Sequence, residues 1–190
     1  MEIKDVIKEV ATLLGLSNVS GANLDADSFD SQTQKDINLI ISSTNEVLCE
    51  VATDFLPLKT KETVTVANGC FDLTTLTHDF HKLVEVDTSE SYYVLRENLY
   101  IKDGTYDVTY TYLPEIYELN DEIEDIDLRL TLFALSYGVA AEYCLISGNY
   151  SESELWASRF NDAMRVATRN TKIPKLKERR WIWKNQNIQM

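Results

Sequence analysis

The spacing at which apolar residues recur changes twice along this 190-residue chain, and no other feature narrows the possible folds as far. Up to Phe55 the spacing is helical. Ile3, Val6, Ile7, Val10 and Leu14 repeat three or four residues apart, with Gly15 as a stop, and predict a helix over 2–14. Residues 16–29 read as a polar loop. Ser31 and Gln34 have capping-box spacing, and Ile37, Ile40, Ile41, Val47, Leu48, Val51 and Phe55 form one stripe, so a second helix is predicted over 31–55, ended by Pro57. From about 60 to 112 the spacing falls to two. Residues 62–66 alternate, Asn68-Gly69 signals a tight turn and 70–73 resume the pattern, which predicts a hairpin. Residues 83–86, 91–95, 99–102 and 105–112 supply further short strands, about four to six in one small antiparallel sheet.

Past Leu113-Pro114 the helical spacing returns. An acidic run, Glu118, Asp121, Glu122, Glu124, Asp125 and Asp127, reads as acids gathered at a helix N-terminus, where the dipole favours them. The helix predicted over 126–147 is apolar nearly all round and needs cover on several sides. Ser147-Gly148-Asn149 closes it. Ser151 and Glu154 then have capping-box spacing and open a helix over 151–170 that carries Leu155, Trp156, Phe160, Ala163, Met164 and Ala167 inward. Because the strands lie between helices rather than alternating with them, the fold class expected is α+β, mainly helical. It is a helical bundle over 1–171 with an inserted β-sheet at about 60–112, followed by an extended C-terminal tail over 172–190.

Charge divides the chain differently. Residues 1–164 carry 10 Lys/Arg against 30 Asp/Glu, a balance of −20, whereas 165–190 carry 8 against 1, a balance of +7. The basic stretch holds Arg165, Arg169, Lys172, Lys175, Lys177, Arg179, Arg180 and Lys184, together with Trp181 and Trp183, two of the chain's three tryptophans. Tryptophan and arginine dominate interface hot spots, so the partner-binding residues expected are Arg169, Lys172, Lys175, Lys177, Arg179, Arg180, Trp181, Trp183 and Lys184. An acidic body repels phosphate and is a poor surface for nucleic acid.

Chemistry is sparse. Cys49, Cys70 and Cys144 are odd in number and lack CxxC spacing, so neither a disulfide framework nor a zinc knuckle is expected; they read as small buried residues in a reducing compartment. His78 and His81 stand three apart in a stretch read as a loop, with Asp79 between them, which falls short of a metal site. The acidic run lacks the central glycine and terminal glutamate of a calcium loop. No GxSxG, GxxxxGK[ST] or GxGxxG occurs, so no enzymatic activity and no cofactor are expected. Neither a signal peptide nor a membrane span is expected, since the longest uncharged apolar stretch, 130–141, is shorter than the ~20 residues a bilayer requires. The tyrosines at 92, 93, 100, 106, 110 and 112 read as cross-strand packing.

The order of parts resembles a known family. A short helix, a polar loop, a long helix ending at Phe55-Leu56-Pro57, a tyrosine-rich sheet with Val66-Ala67-Asn68-Gly69, an exit at Tyr112-Leu113-Pro114, an acid-led apolar helix, a helical hairpin and a basic extension are similar to the head-to-tail adaptor (connector) proteins of tailed bacteriophages. The resemblance implies a structural virion protein, in a ring of about a dozen copies closed by head-to-tail contacts. Such a ring joins the portal to the tail and lets DNA pass without specific binding. It implies that the extension, here 172–190, docks on the portal, that tail proteins bind the other side, and that the protein resides in the virion after assembly in the host cytoplasm. Two other classes remain open: a nucleic-acid-binding module acting through the basic tail, and a metal-dependent enzyme using 121–127 with His78 or His81.

Overall fold

A computed structural model describes residues 1–26 and 28–169. It is α+β, with helices α1 (Ile3–Leu14), α2 (Ser17–Ser20), α3 (Ser31–Glu50), α4 (Leu132–Ile146) and α5 (Tyr150–Arg169). Six strands lie between α3 and α4: β1 (Leu58–Val66), β2 (Cys70–Asp72), β3 (Phe80–Val86), β4 (Tyr93–Leu95), β5 (Asn98–Tyr100) and β6 (Gly104–Tyr112). The expectation of a mainly helical chain with one inserted sheet is therefore corrected. Helical residues are fewer than half of those described, and the strands form two three-stranded antiparallel sheets, ordered β1-β6-β3 and β2-β5-β4.

The local rules explain most element ends, and where they fail a competing hydrogen bond is visible. α1 stops at Gly15, whose φ of 69° lets its N–H turn back to the carbonyls of Ala11 and Thr12. α3 is capped by Asp30, whose carboxylate accepts from the N–H groups of Gln32 and Thr33, both at 3.1 Å. The expected Ser31–Gln34 box does not form, because Gln34 donates to Asn38 instead. At its far end α3 widens into a turn over Val51–Phe55, closed by Leu56 N–H on the Val51 carbonyl at 2.7 Å, before Pro57. The loop at 16–29 is less polar in effect than in composition, since Val19 on α2 and Leu24 are both buried.

The helix expected over 126–147 begins six residues later. Asp127 accepts from the Arg129 N–H at 2.9 Å and from its Nε at 2.7 Å, forming a local turn that competes with helix. Thr131 then caps α4 through the Ala134 N–H. The acidic run thus lies in turns ahead of the helix and not in its first turn. α5 opens at Tyr150 rather than Ser151, with the Asn149 carbonyl accepting from Ser153 N–H at 3.0 Å. Trp156, Phe160, Met164 and Ala167 point inward as expected, but Leu155 is 51% exposed.

Ile3, Ile7, Ile37, Ile40, Leu135, Val139, Phe160 and Met164 build the larger core, in which α1, α3 and α5 surround α4. The cover expected for this apolar helix comes mainly from its own chain, with Phe133, Leu145 and Ile146 left exposed. The helices approach closely at Gly138, where a Cβ would lie 2.7 Å from Cγ1 of Val47 and 3.0 Å from the Phe160 ring.

The second core belongs to the strands. Val64, Leu73, Val86, Leu99, Val108 and Tyr110 fill it, and Tyr110 is fully buried with its hydroxyl donating to Glu62 at 3.1 Å. The predicted hairpin over 62–73 is half right. Asn68 and Gly69 do form the turn, at φ 58° and 72°, with Cys70 N–H reaching the Ala67 carbonyl at 3.4 Å. The two strands then part, because β1 runs in register with β6 from Leu58↔Tyr112 to Val66↔Gly104 while β2 pairs with β5. Both central residues of the turn need positive φ, so Gly69→Val is expected to cost at least about 1 kcal/mol. Thermal melts check it; an unchanged midpoint would mean that the turn tolerates a branched residue.

Candidate partner-binding surfaces

Of the residues expected to bind a partner, the structure places Arg169, exposed at the last position of α5. Lys172, Lys175, Lys177, Arg179, Arg180, Trp181, Trp183 and Lys184 lie outside the described residues, as does the whole proposed extension 172–190. What the structure does define is where the chain leaves α5. The three residues between α4 and α5 make them antiparallel neighbours, held by Tyr137 stacked on Trp156 at 5.8 Å with the Arg159 guanidinium over the Trp156 ring at 4.8 Å. Arg169 therefore lies toward the end of the hairpin where α4 begins.

The segment that carries the acidic run is firmly held. The Asn45 side chain on α3 clamps the Tyr117 backbone with two hydrogen bonds, Nδ2 to the carbonyl at 3.0 Å and Oδ1 from the N–H at 2.9 Å. Ile123 N–H donates to the Met1 carbonyl at 2.7 Å, and Ile3 N–H to that of Asp121 at 3.1 Å. Tyr117 and Ile123 are buried, which leaves Glu115, Glu122 and Glu124 turned outward in a shallow groove with Asp121 and Asp125. Asp121 is spent on its own turn, accepting from Glu118 N–H at 2.6 Å. Arg129 holds the Asp127 carboxyl below its usual range, the hydrogen bond outweighing burial.

A second acidic group crosses α3 and α4. Burial raises the Glu142 carboxyl above its ordinary range, and Glu46 and Glu50 on α3 push it further the same way. The folded state thus holds the Glu142 proton more tightly than the unfolded chain, so this group favours folding more as pH falls into the carboxylate range. Glu142→Gln is expected to stabilise the protein at pH 7 by about 0.2–1 kcal/mol, and the gain should vanish in acid, where Glu142 is itself neutral. Melts of both proteins at the two pH values check this.

The histidines do not converge. His78 stacks on Tyr112 at 4.4 Å in a loop, whereas His81 stands exposed on β3, a strand rather than the expected loop. Among the described residues no three His, Cys, Asp or Glu side chains gather in a metal-binding group. Cys144 is buried, and desolvation raises its thiol to about 11; Cys49 and Cys70 are half-buried and free. No helix among the described residues is long and apolar enough to cross a membrane.

Sequence reasoning did not single out the exposed apolar groups. Tyr93 and Leu95 on β4 are 62% and 58% exposed, and Leu145, Ile146 and Tyr150 at the tip of the α4–α5 hairpin are 47%, 50% and 66% exposed. The signal was present as two uncharged stretches, 91–95 and 143–151, in a chain of which 26% is charged. No protein-family model matches the chain, and no curated protein matches it significantly.

Proposed function

We propose that the protein is a structural head-to-tail adaptor of a tailed-phage virion, a ring of copies that joins portal to tail and lets DNA pass. It carries out no catalysis. The observation that carries this reading is the separation of charge, −20 over residues 1–164 and +7 over 165–190 with two tryptophans in the basic part. An acidic body suits a channel wall that must not hold DNA, because phosphate is repelled. A cationic, aromatic extension suits an anchor on another protein.

Electron microscopy and native mass spectrometry, with the protein alone at high concentration and with a tailed-phage portal, test the reading. A closed ring is expected, alone or on the portal. A strict monomer in both preparations overturns it. Affinity for DNA that falls steeply with salt and disappears with the tail supports the nucleic-acid module instead.

A further inference from the structure

We propose that the groove between the end of α3 and the outer face of the β1-β6-β3 sheet binds a phosphate group, carried on a small organic molecule. The site goes beyond the adaptor reading and does not depend on it.

Val64, Val86, Val108 and Tyr110 of this sheet point into the second core, so the alternate residues face outward. On that outer face the ladder sets Lys59 of β1, Thr111 of β6 and Lys82 of β3 in one row. Lys61, Thr109 and Glu85 form the next. The carboxylates of this face gather round Lys61, which meets Asp107 at 2.8 Å and Asp87 at 3.9 Å. Neither Lys59 nor Lys82 has an ion-pair partner among the described residues, although residues 1–164 hold 30 carboxylates against 10 lysines and arginines. A third donor arrives through an irregularity in the ladder. The register shifts between Phe80 and Lys82, so that His81 and Lys82 together oppose Thr111, and a bulge of this kind re-aims a side chain. Thr111 is engaged in holding it, its hydroxyl donating to the Lys82 carbonyl at 3.3 Å.

The groove over this row has a volume of about 370 Å³, in the range of small-molecule sites. Ala52 and Thr53, on the widened turn that ends α3, line it from the helical side, and widened helical turns recur at functional sites. Leu83 and Val84 add apolar surface, and among the described residues no carboxylate lines it. Two ammonium groups match a phosphomonoester, which carries about −1.5 to −2 at neutral pH, better than a single carboxylate. Lys59 and Lys82 stand roughly 10 Å apart at Cα, two strand spacings, and their flexible stems can converge over Thr111. The apolar wall takes the organic part. Charges farther than a Debye length of about 8–10 Å are screened at ordinary salt, so this local pair outweighs the distant acids of the body.

Phosphorus NMR titrations of the full chain with phenyl phosphate and with inorganic phosphate test the site, and fluorescence anisotropy reads a short labelled DNA duplex. Phenyl phosphate is expected to bind, and more tightly than inorganic phosphate. Lys59→Ala and Lys82→Ala, at exposed positions, should each weaken it about fivefold, the upper end for an exposed charge pair, and the double variant should lose it. Lys61→Ala, one row away, should leave it nearly unchanged; melts confirm that every variant folds. Wild type that binds no phosphate overturns the site. Binding that the double variant retains also overturns it and places the phosphate on the basic residues 165–190. An equal loss in Lys61→Ala overturns it too, as a response to overall charge. A duplex that binds with the same lysine dependence, where phenyl phosphate does not bind, overturns the small-molecule source in favour of nucleic acid. An acidic peptide of residues 114–127 that behaves in that way overturns the phosphate assignment in favour of carboxylates.

Discussion

Gly138→Val is expected to lower stability by about 3 kcal/mol, the upper part of the range for overpacking a well-filled core. The neighbours at Gly138 are two different elements. A Cβ there would meet Cγ1 of Val47 on α3 at 2.7 Å and the Phe160 ring on α5 at 3.0 Å, so α4 cannot retreat from one without pressing on the other. Two branched methyl groups beyond that Cβ deepen the conflict and lose χ1 freedom. Gly138→Ala separates the terms: the helix gains up to about 1 kcal/mol over glycine, against which stand the Cβ contacts with Val47 Cγ1 at 2.7 Å and the Phe160 ring at 3.0 Å, without the two further methyl groups of valine. Val47→Ala should restore part of the stability lost in Gly138→Val, a coupling that a double-mutant cycle of chemical denaturation measures. Additive effects in that cycle would mean that the two helices do not meet at this pair.

Helix existence was legible wherever apolar spacing was sustained, as with Ile3 to Leu14 and Ile37 to Val51. What spacing could not reveal was which polar side chain would win a local competition. Asp30 rather than Ser31 caps α3, and the Asp127–Arg129 turn removes six residues from the start of α4. Short strands were located within a few residues, yet their pairing was not readable. The Asn68-Gly69 turn predicts its own dihedrals correctly and still misleads, because partner choice is set by the nine-residue ladder of β1 with β6, a contact distant in sequence. The same long-range blindness affects α4. An all-round apolar helix announces that it must be covered, and only the tertiary structure shows that α1, α3 and α5 of its own chain do most of the covering. The cationic candidates at 172–184 lie outside the described residues, so that part of the candidate site rests on composition alone.

Removal of the tail has the largest expected effect on function. Truncation after Thr171 should leave the melting temperature nearly unchanged while abolishing binding to the portal. The reasoning is compositional for the tail and structural for the body: residues 172–190 hold few aliphatic side chains, and the packing of α5 on α4 is already made by Trp156, Phe160, Met164 and Ala167. Within the tail the terms should separate. Trp181→Ala and Trp183→Ala should each weaken binding by about 2 kcal/mol or more, the scale of an aromatic filling a desolvated pocket. Lys175→Ala and Lys177→Ala should cost less and act mainly on the association rate and its salt dependence, as rim charges do. Calorimetric titration of the full and truncated chains into portal, at two salt concentrations, measures both. A truncated chain that unfolds shows that the tail belongs to the fold of its own body, an acidic body at −18 over residues 1–171 attracting a basic segment at +5 over 172–190 without any partner. A truncated chain that still binds portal but no longer binds DNA transfers the role of the tryptophans from protein pockets to base stacking, and the charge separation then marks a nucleic-acid module.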